Sequence, residues 1–295
     1  MSEKKRSKHL GFIGTGLMGF PMAHRLLASG FRLKIYNRTR SKALPLKKHG
    51  AEIADHPREL FPAADAVILM LTDATAIDQV LRDVALQPAQ PDQTMIQMGT
   101  IMPEESLRLA DRMKDAGWNY LEAPVLGSIP EATSGRLIIM AGGDERVFAD
   151  WKSLLRVMGK SVYFVGAIGQ AAAVKLALNQ LIASLTAAFS LSLGIVRQRG
   201  VDEALFMQIL QRSALYAPTF QKKMPRYLAR HFENPNFPVK HMLKDVKLIA
   251  AEARQLGLET AVISAIQNIL EKAIKAGFAE SDYSAIYNII FPKTA

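Results

Sequence analysis

The spacing of apolar positions along the chain changes its period once. Between Leu10 and about Gly166, short β-rich runs (LGFIG, RLKIYN, AVILML, TMIQMG, NYLEAPV, RLIIMAGG and SVYFVG) alternate with amphipathic stretches such as LMGFPMAHRLLAS and PEESLRLADRMKDAG. Near-continuous apolar runs separated by helix-period segments predict a largely parallel sheet with helices on both faces. Beyond Gly166 the strand signal stops. Helical periodicity continues through VDEALFMQILQRSA, HMLKDVKLIAAEARQLG, AVISAIQNILEKAIKAG and SDYSAIYNII. The pattern therefore predicts an α/β domain over residues 9–166 and an all-α domain over residues 167–295. No linker rich in Pro, Gly or Ser divides them, and no internal repeat is visible.

The helix that opens the second half, GAIGQAAAVKLALNQL, is apolar on nearly every side and carries one lysine, Lys175. Burying an ammonium is expensive unless something compensates it. Positions four apart share a helix face, so Asn179 projects beside Lys175, and one polar stripe on an apolar cylinder reads as a site. The run that follows, Leu181 to Val196, has 16 residues. That is shorter than the roughly 20 a bilayer span needs, and a buried core helix is expected rather than a membrane segment. Its length exceeds what one small domain must cover, which suggests a homo-oligomer, a dimer or tetramer.

Composition narrows the chemistry. The chain has no cysteine, which removes disulfides, thiolate metal sites and cysteine nucleophiles and suits a reducing compartment. Six histidines show no ligand spacing, so no metal is expected. The basic stretch MSEKKRSKHL lacks the apolar core of a secretory signal, and a cytoplasmic location is expected. The net charge of +10 is spread along the chain without a basic face interleaved with aromatics. Attraction of anionic small molecules accounts for it without invoking nucleic acid.

Gly14, Gly16 and Gly19 stand in G-x-G-x-x-G spacing between the first strand and the first helix. The first glycine makes the tight turn, the second lets backbone approach a pyrophosphate, and the third lets helix and strand pack closely. The first half is thus expected to be a Rossmann-type dinucleotide-binding domain, with the pyrophosphate on free N–H groups at the helix N-terminus. The second strand ends in Asn37, Arg38, Thr39 and Arg40. A carboxylate there would repel a 2′-phosphate, whereas a guanidinium pairs with one, so NADP(H) is the expected cofactor.

Four ordered motifs, spanning nearly the whole chain, resemble the β-hydroxyacid dehydrogenase family. GFIGTGLMGFPMAHRL is similar to its dinucleotide motif, and MGTIMP to the segment whose threonine, Thr100, lies beside nicotinamide and substrate. LEAPVLGSIPEATSGRL is similar to its substrate-binding motif, and FPVKHMLKDVKLIAAEA to the C-terminal segment that approaches the site. Gly166, Gly169, Lys175 and Asn179 match the run that carries the family's catalytic lysine. The resemblance implies a catalytic pair, Lys175 and Asn179. It places cofactor against Gly14, Gly16, Leu17, Met18, Gly19, Asn37, Arg38, Thr39, Leu71, Thr100 and Lys244. It places substrate against Leu126, Gly127, Ser128, Phe237 and Asp245, in a site between the two domains.

The implied activity is NADP(H)-dependent reduction of small aldehyde acids such as glyoxylate or succinic semialdehyde, or oxidation of the β-hydroxyacid. One departure bears on substrate. Where the family usually has serine after A-P-V, this chain has Leu126, which offers no hydrogen bond. Gly127 and Ser128 would then hold a carboxylate alone, or the substrate is bulkier or less acidic. Two other functions stay open: an imine reductase on the same architecture, which does not normally place lysine at this helix position, and a catalytically silent NADP-binding scaffold.

Overall fold

The computed structural model describes residues 8–82, 90 and 92–293. The chain divides into two compact units at the Lys175–Leu176 bond. The first holds strands β1 (His9–Ile13), β2 (Arg32–Tyr36), β3 (Glu52–Ile53), β4 (Ala66–Leu69), β5 (Thr94–Gln97), β6 (Asn119–Glu122), β7 (Val125–Leu126), β8 (Leu137–Gly143) and β9 (Gly159–Gly166). Between them run helices α1 (Gly19–Ala28), α2 (Ala74–Arg82), α3 (Pro103–Asp115), α4 (Ile129–Thr133) and α5 (Glu145–Met158).

The strands form one sheet in the order β3-β2-β1-β4-β5-β6-β8-β7, with β9 paired to β8. Pairing is parallel from β3 through β6 and between β8 and β9, and antiparallel where β8 meets β6 and β7. Successive side chains of a strand point to opposite faces, yet every residue of β4 is buried. Ala66 and Ile68 join a core with Met22 and Leu26 of α1 and Trp151 of α5, while Val67 and Leu69 join another with Leu109 and Met113 of α3. Burial on both faces is why such strands read as continuous apolar runs.

Two details differ from the pattern-based expectation. NYLEAPV is not one strand: β6 stops at Glu122, Pro124 has no N–H to donate, and β7 pairs separately with β8. A two-residue strand, β3, closes the far edge, too short to show a period.

The second unit is helical: the remainder of α6 (Gln170–Gln198), then α7 (Glu203–Gln211), α8 (Pro218–Ala229), α9 (Val239–Gln255), α10 (Ala261–Lys275) and α11 (Tyr287–Ile290), the last preceded by a 3-10 turn at Tyr283–Ile286. α8 has no counterpart among the elements the pattern predicts, because Pro225 interrupts its period. The helix is anchored from inside. Lys223 Nζ lies 2.7 Å from both oxygens of fully buried Asp282 and 4.2 Å from the Tyr283 ring centroid. Burial holds the Lys223 amine below its ordinary range, against the raising effect of Asp282.

The long helix corrects a further expectation. α6 has 29 residues, with an 18-residue stretch of mean hydropathy 1.5, so by length and composition alone it could cross a bilayer. Only 39% of that stretch is buried, so it is not simply a core helix. Leu176, Ala183, Thr186, Ser190 and Leu193 form its buried face, and the Thr186 and Ser190 hydroxyls bond carbonyls one turn back. Leu181, Leu191 and Ile195 are each more than half exposed on the other side.

Candidate active site

The glycine loop follows β1, at the carboxyl edge of the parallel sheet, where the strand order turns from β1 to β4. Open α/β sheets bind ligands at such a reversal. The three glycines have separable structural reasons. Gly14 has φ +100°, and a Cβ there would lie 2.3 Å from the Met70 carbonyl oxygen; a Cβ on Gly19 would lie 1.8 Å from the Gly14 carbonyl oxygen. Gly16 has no atom within 4 Å of such a Cβ, so its face of the loop is open. Beside it, the Thr15 hydroxyl is buried with no hydrogen-bond partner among the described residues. An open glycine face, an orphaned hydroxyl and a helix N-terminus fit a pyrophosphate.

Among the other predicted nucleotide residues, Asn37 and Leu71 reach this loop. Asn37 Oδ1 accepts the Thr15 N–H at 2.8 Å, and Asn37 Nδ2 donates to the Thr39 carbonyl at 2.8 Å. Its carboxamide therefore ties β2 to the glycine loop. A Cβ on Gly14 would meet Leu71 Cδ2 at 3.1 Å, and one on Gly99, next to Thr100, would meet the Leu71 carbonyl oxygen at 2.4 Å. Leu17 is exposed and Met18 half-buried. The two arginines after β2 differ: Arg40 Nε pairs with Asp55 at 2.7 Å, while Arg38 is exposed without a partner among the described residues.

The start of α6 shows a residue that motif reading passed over. Glu122, at the end of β6, is fully buried. Its Oε1 accepts the backbone N–H groups of Gly169 at 2.9 Å, Ala171 at 2.8 Å and Ala172 at 3.3 Å. Its Oε2 accepts the Ser106 hydroxyl, which lies 2.8 Å from the Tyr120 hydroxyl. Burial pushes the Tyr120 hydroxyl far above its ordinary range, so it stays protonated and donates. A carboxylate ending a strand buried at its last three positions was the available signal.

Lys175 is 9% exposed and Asn179 5%, so the lysine does not snorkel to bulk water. Asn179 Nδ2 donates to Asp245 Oδ2 at 2.6 Å, and Lys244 Nζ lies 2.6 Å from Asp245 Oδ1. Asp245 is 4% exposed and Asn179 is buried with it, while Lys244 is only half-buried. Phe237 is half-buried, its ring parallel to that of His241 at 6.4 Å and edge-on to Tyr283 at 5.9 Å. Burial and the nearby Lys240 and Lys244 lower the His241 imidazole below its ordinary range.

The Leu126–Ser128 segment is less open than its sequence suggests. Glu131 Oε2 accepts the Ser128 N–H at 2.8 Å and the Ser128 hydroxyl at 2.7 Å, a capping box at the start of α4. Both Ser128 groups expected to hold a substrate carboxylate are thus engaged by a carboxylate of the chain itself. Gly127 has φ +133° and is exposed, and Leu126 is half-buried in β7.

A glycine loop with room for pyrophosphate, followed by an all-helical half with a buried lysine–asparagine stripe, defines a dinucleotide-linked oxidoreductase. Residues 9–166 match the family model for the NAD-binding domain of 6-phosphogluconate dehydrogenase, and residues 169–290 that for the NAD-binding domain of NADP-dependent 3-hydroxyisobutyrate dehydrogenase. The chain belongs to the β-hydroxyacid dehydrogenase family. It is 32% identical to glyoxylate/succinic semialdehyde reductase 1 of Arabidopsis thaliana, over 95% of this chain and 98% of that protein. A crystal structure of 3-hydroxyisobutyrate dehydrogenase from Salmonella typhimurium superposes with a TM-score of 0.85 at 25% identity, covering 96% of this chain and 99% of that one. The NADP+ complex of an imine reductase from Myxococcus stipitatus shares the fold, with a TM-score of 0.64 at 22% identity, covering 97% of this chain and all of that one.

Proposed function

We propose that the protein reduces small aldehyde acids with NADPH, or oxidises the corresponding β-hydroxyacids in reverse, with Lys175 as the proton-transfer group. Bound at the glycine loop, the dinucleotide supplies or accepts the hydride. Reduction of a carbonyl leaves negative charge on its oxygen, and a protonated Lys175 would stabilise that charge and deliver the proton. In the oxidative direction the neutral amine takes the hydroxyl proton. Asn179, held by Asp245, orients the lysine or the substrate oxygen. Lys244 and Thr100 are assigned to the cofactor, Phe237 and Gly127 to the substrate. NADP over NAD is supported by Arg38, exposed at the end of β2 and without an ion pair among the described residues.

The observation that carries this reading is the burial of Lys175 one helical turn from an asparagine fixed by a buried aspartate. Replacing Lys175 with Ala should lower kcat by about 10²- to 10⁴-fold, the usual contribution of general acid–base catalysis, with NADPH affinity unchanged. NADPH consumption with glyoxylate and succinic semialdehyde measures it; a Lys175→Ala enzyme turning over at the wild-type rate would refute the role. A specific observation favours a second reading. With Leu126 apolar and Ser128 engaged by Glu131, the substrate would be a ketone or imine lacking a carboxylate. Including cyclic imines in the substrate panel separates the two.

The apolar stripe left exposed on α6 supports assembly into a dimer or tetramer, and a cysteine-free chain suits the cytoplasm.

A further inference from the structure

A helix begins with N–H groups that have no partner within it, and the residue before its first turn ordinarily supplies a side-chain acceptor. α6 cannot do this for itself. The residue before Gln170 is Gly169, at φ +93°, and Ala171, Ala172 and Ala173 follow. The acceptor comes from the sheet, as Glu122 Oε1 bonded to Gly169, Ala171 and Ala172.

That carboxylate has no freedom to drift. Its strand is paired on both sides, with β5 and β8. Ser106 holds its second oxygen, backed by Tyr120. Space for it exists because position 142 is glycine: a Cβ there would lie 2.6 Å from Glu122 Oε1. Ala172, the last N–H it holds, precedes Lys175 by less than a turn, roughly 4.5 Å along the axis.

We infer that Glu122 is a positioning residue for Lys175, capping its helix from the neighbouring strand and so fixing where the amine stands. The inference rests on the proton-transfer role proposed for Lys175. A misplacement of about 1 Å in such a group can lower a rate on the order of 10²-fold.

The test uses the full-length enzyme with succinic semialdehyde and NADPH. Glu122→Ala should lower kcat by about 10- to 100-fold at unchanged NADPH affinity and speed hydrogen exchange at the amides of Gly169, Ala171 and Ala172. Glu122→Gln keeps an acceptor for those amides and should recover kcat to within about threefold of wild type. In a Lys175→Ala background, Glu122→Ala should cause no further loss, since residues acting through one another are not additive. Wild-type kcat in folded Glu122→Ala, unchanged exchange, or an equal fractional loss in both backgrounds overturns the inference. Wild-type kcat in Lys175→Ala would instead defeat the proton-transfer role, leaving the exchange result to report on the cap alone. If Glu122→Ala does not fold, Gly142→Ala decides: its methyl crowds Glu122 Oε1, and wild-type kcat in that folded variant rejects the positioning role.

Discussion

At the scale of single residues, the two arginines after β2 show how contacts sort equal-looking candidates. Arg40 is paired with Asp55, and Arg38 has no ion pair among the described residues. Arg38→Ala should therefore raise KM for NADPH by about 10- to 100-fold, the worth of a charge-assisted hydrogen bond, and leave KM for NADH nearly unchanged. Steady-state titration of both cofactors checks this. Leu126→Ser should lower KM for glyoxylate or succinic semialdehyde by about tenfold if an acidic substrate is native, because a hydroxyl restores one such bond. An unchanged value points to a substrate without a carboxylate. The glycine spacing and the Lys175–Asn179 stripe were legible in the sequence because turn geometry and helix period are local. The ties of Asn37 to Thr15, Asp245 to Asn179 and Ser128 to Glu131 were not, since the first two join residues distant in the chain and the third reads as any capping box.

At the scale of elements, buried strands such as β4 announced themselves, while α8 was hidden by Pro225. An exposed apolar stripe on one helix is uncommon on a monomer unless something covers it. A charge introduced there should disfavour association: Ile195→Glu should yield a smaller species than wild type in sedimentation velocity while retaining the helical circular dichroism spectrum. A wild-type species that already sediments as a monomer would remove the oligomer from consideration.

At the scale of the whole molecule, both units bury ionisable hydroxyls. Burial raises Tyr120 and Tyr227 well above their ordinary range and Tyr283 to about 12. In the unfolded chain these groups ionise near 10, so between about pH 10 and 12 the folded state binds more protons than the unfolded state. Stability should be insensitive to these tyrosines below pH 10 and fall as pH rises through that window. Lys223, lowered by burial, acts in the opposite sense and fades above about pH 10.5, where the unfolded lysine itself loses its proton, so it offsets part of the fall carried by the three tyrosines. Urea midpoints at pH 9 and pH 11 test the sign, with a lower midpoint expected at the higher pH. The single break between sheet and helices was visible in the sequence as a change of period; no linker marks the division between compact units at Lys175–Leu176.

That boundary falls inside α6, which continues unbroken from Gln170 to Gln198. In a helix of 3.6 residues per turn, one inserted or deleted residue rotates everything downstream by about 100°. A single-codon insertion between Lys175 and Asn179 would swing the asparagine off the lysine's side and turn every later residue of the rod with it. Loops on this protein can absorb length variation; this stretch cannot, and gene fusions joining its halves from different parents would have to keep the helical phase to the residue.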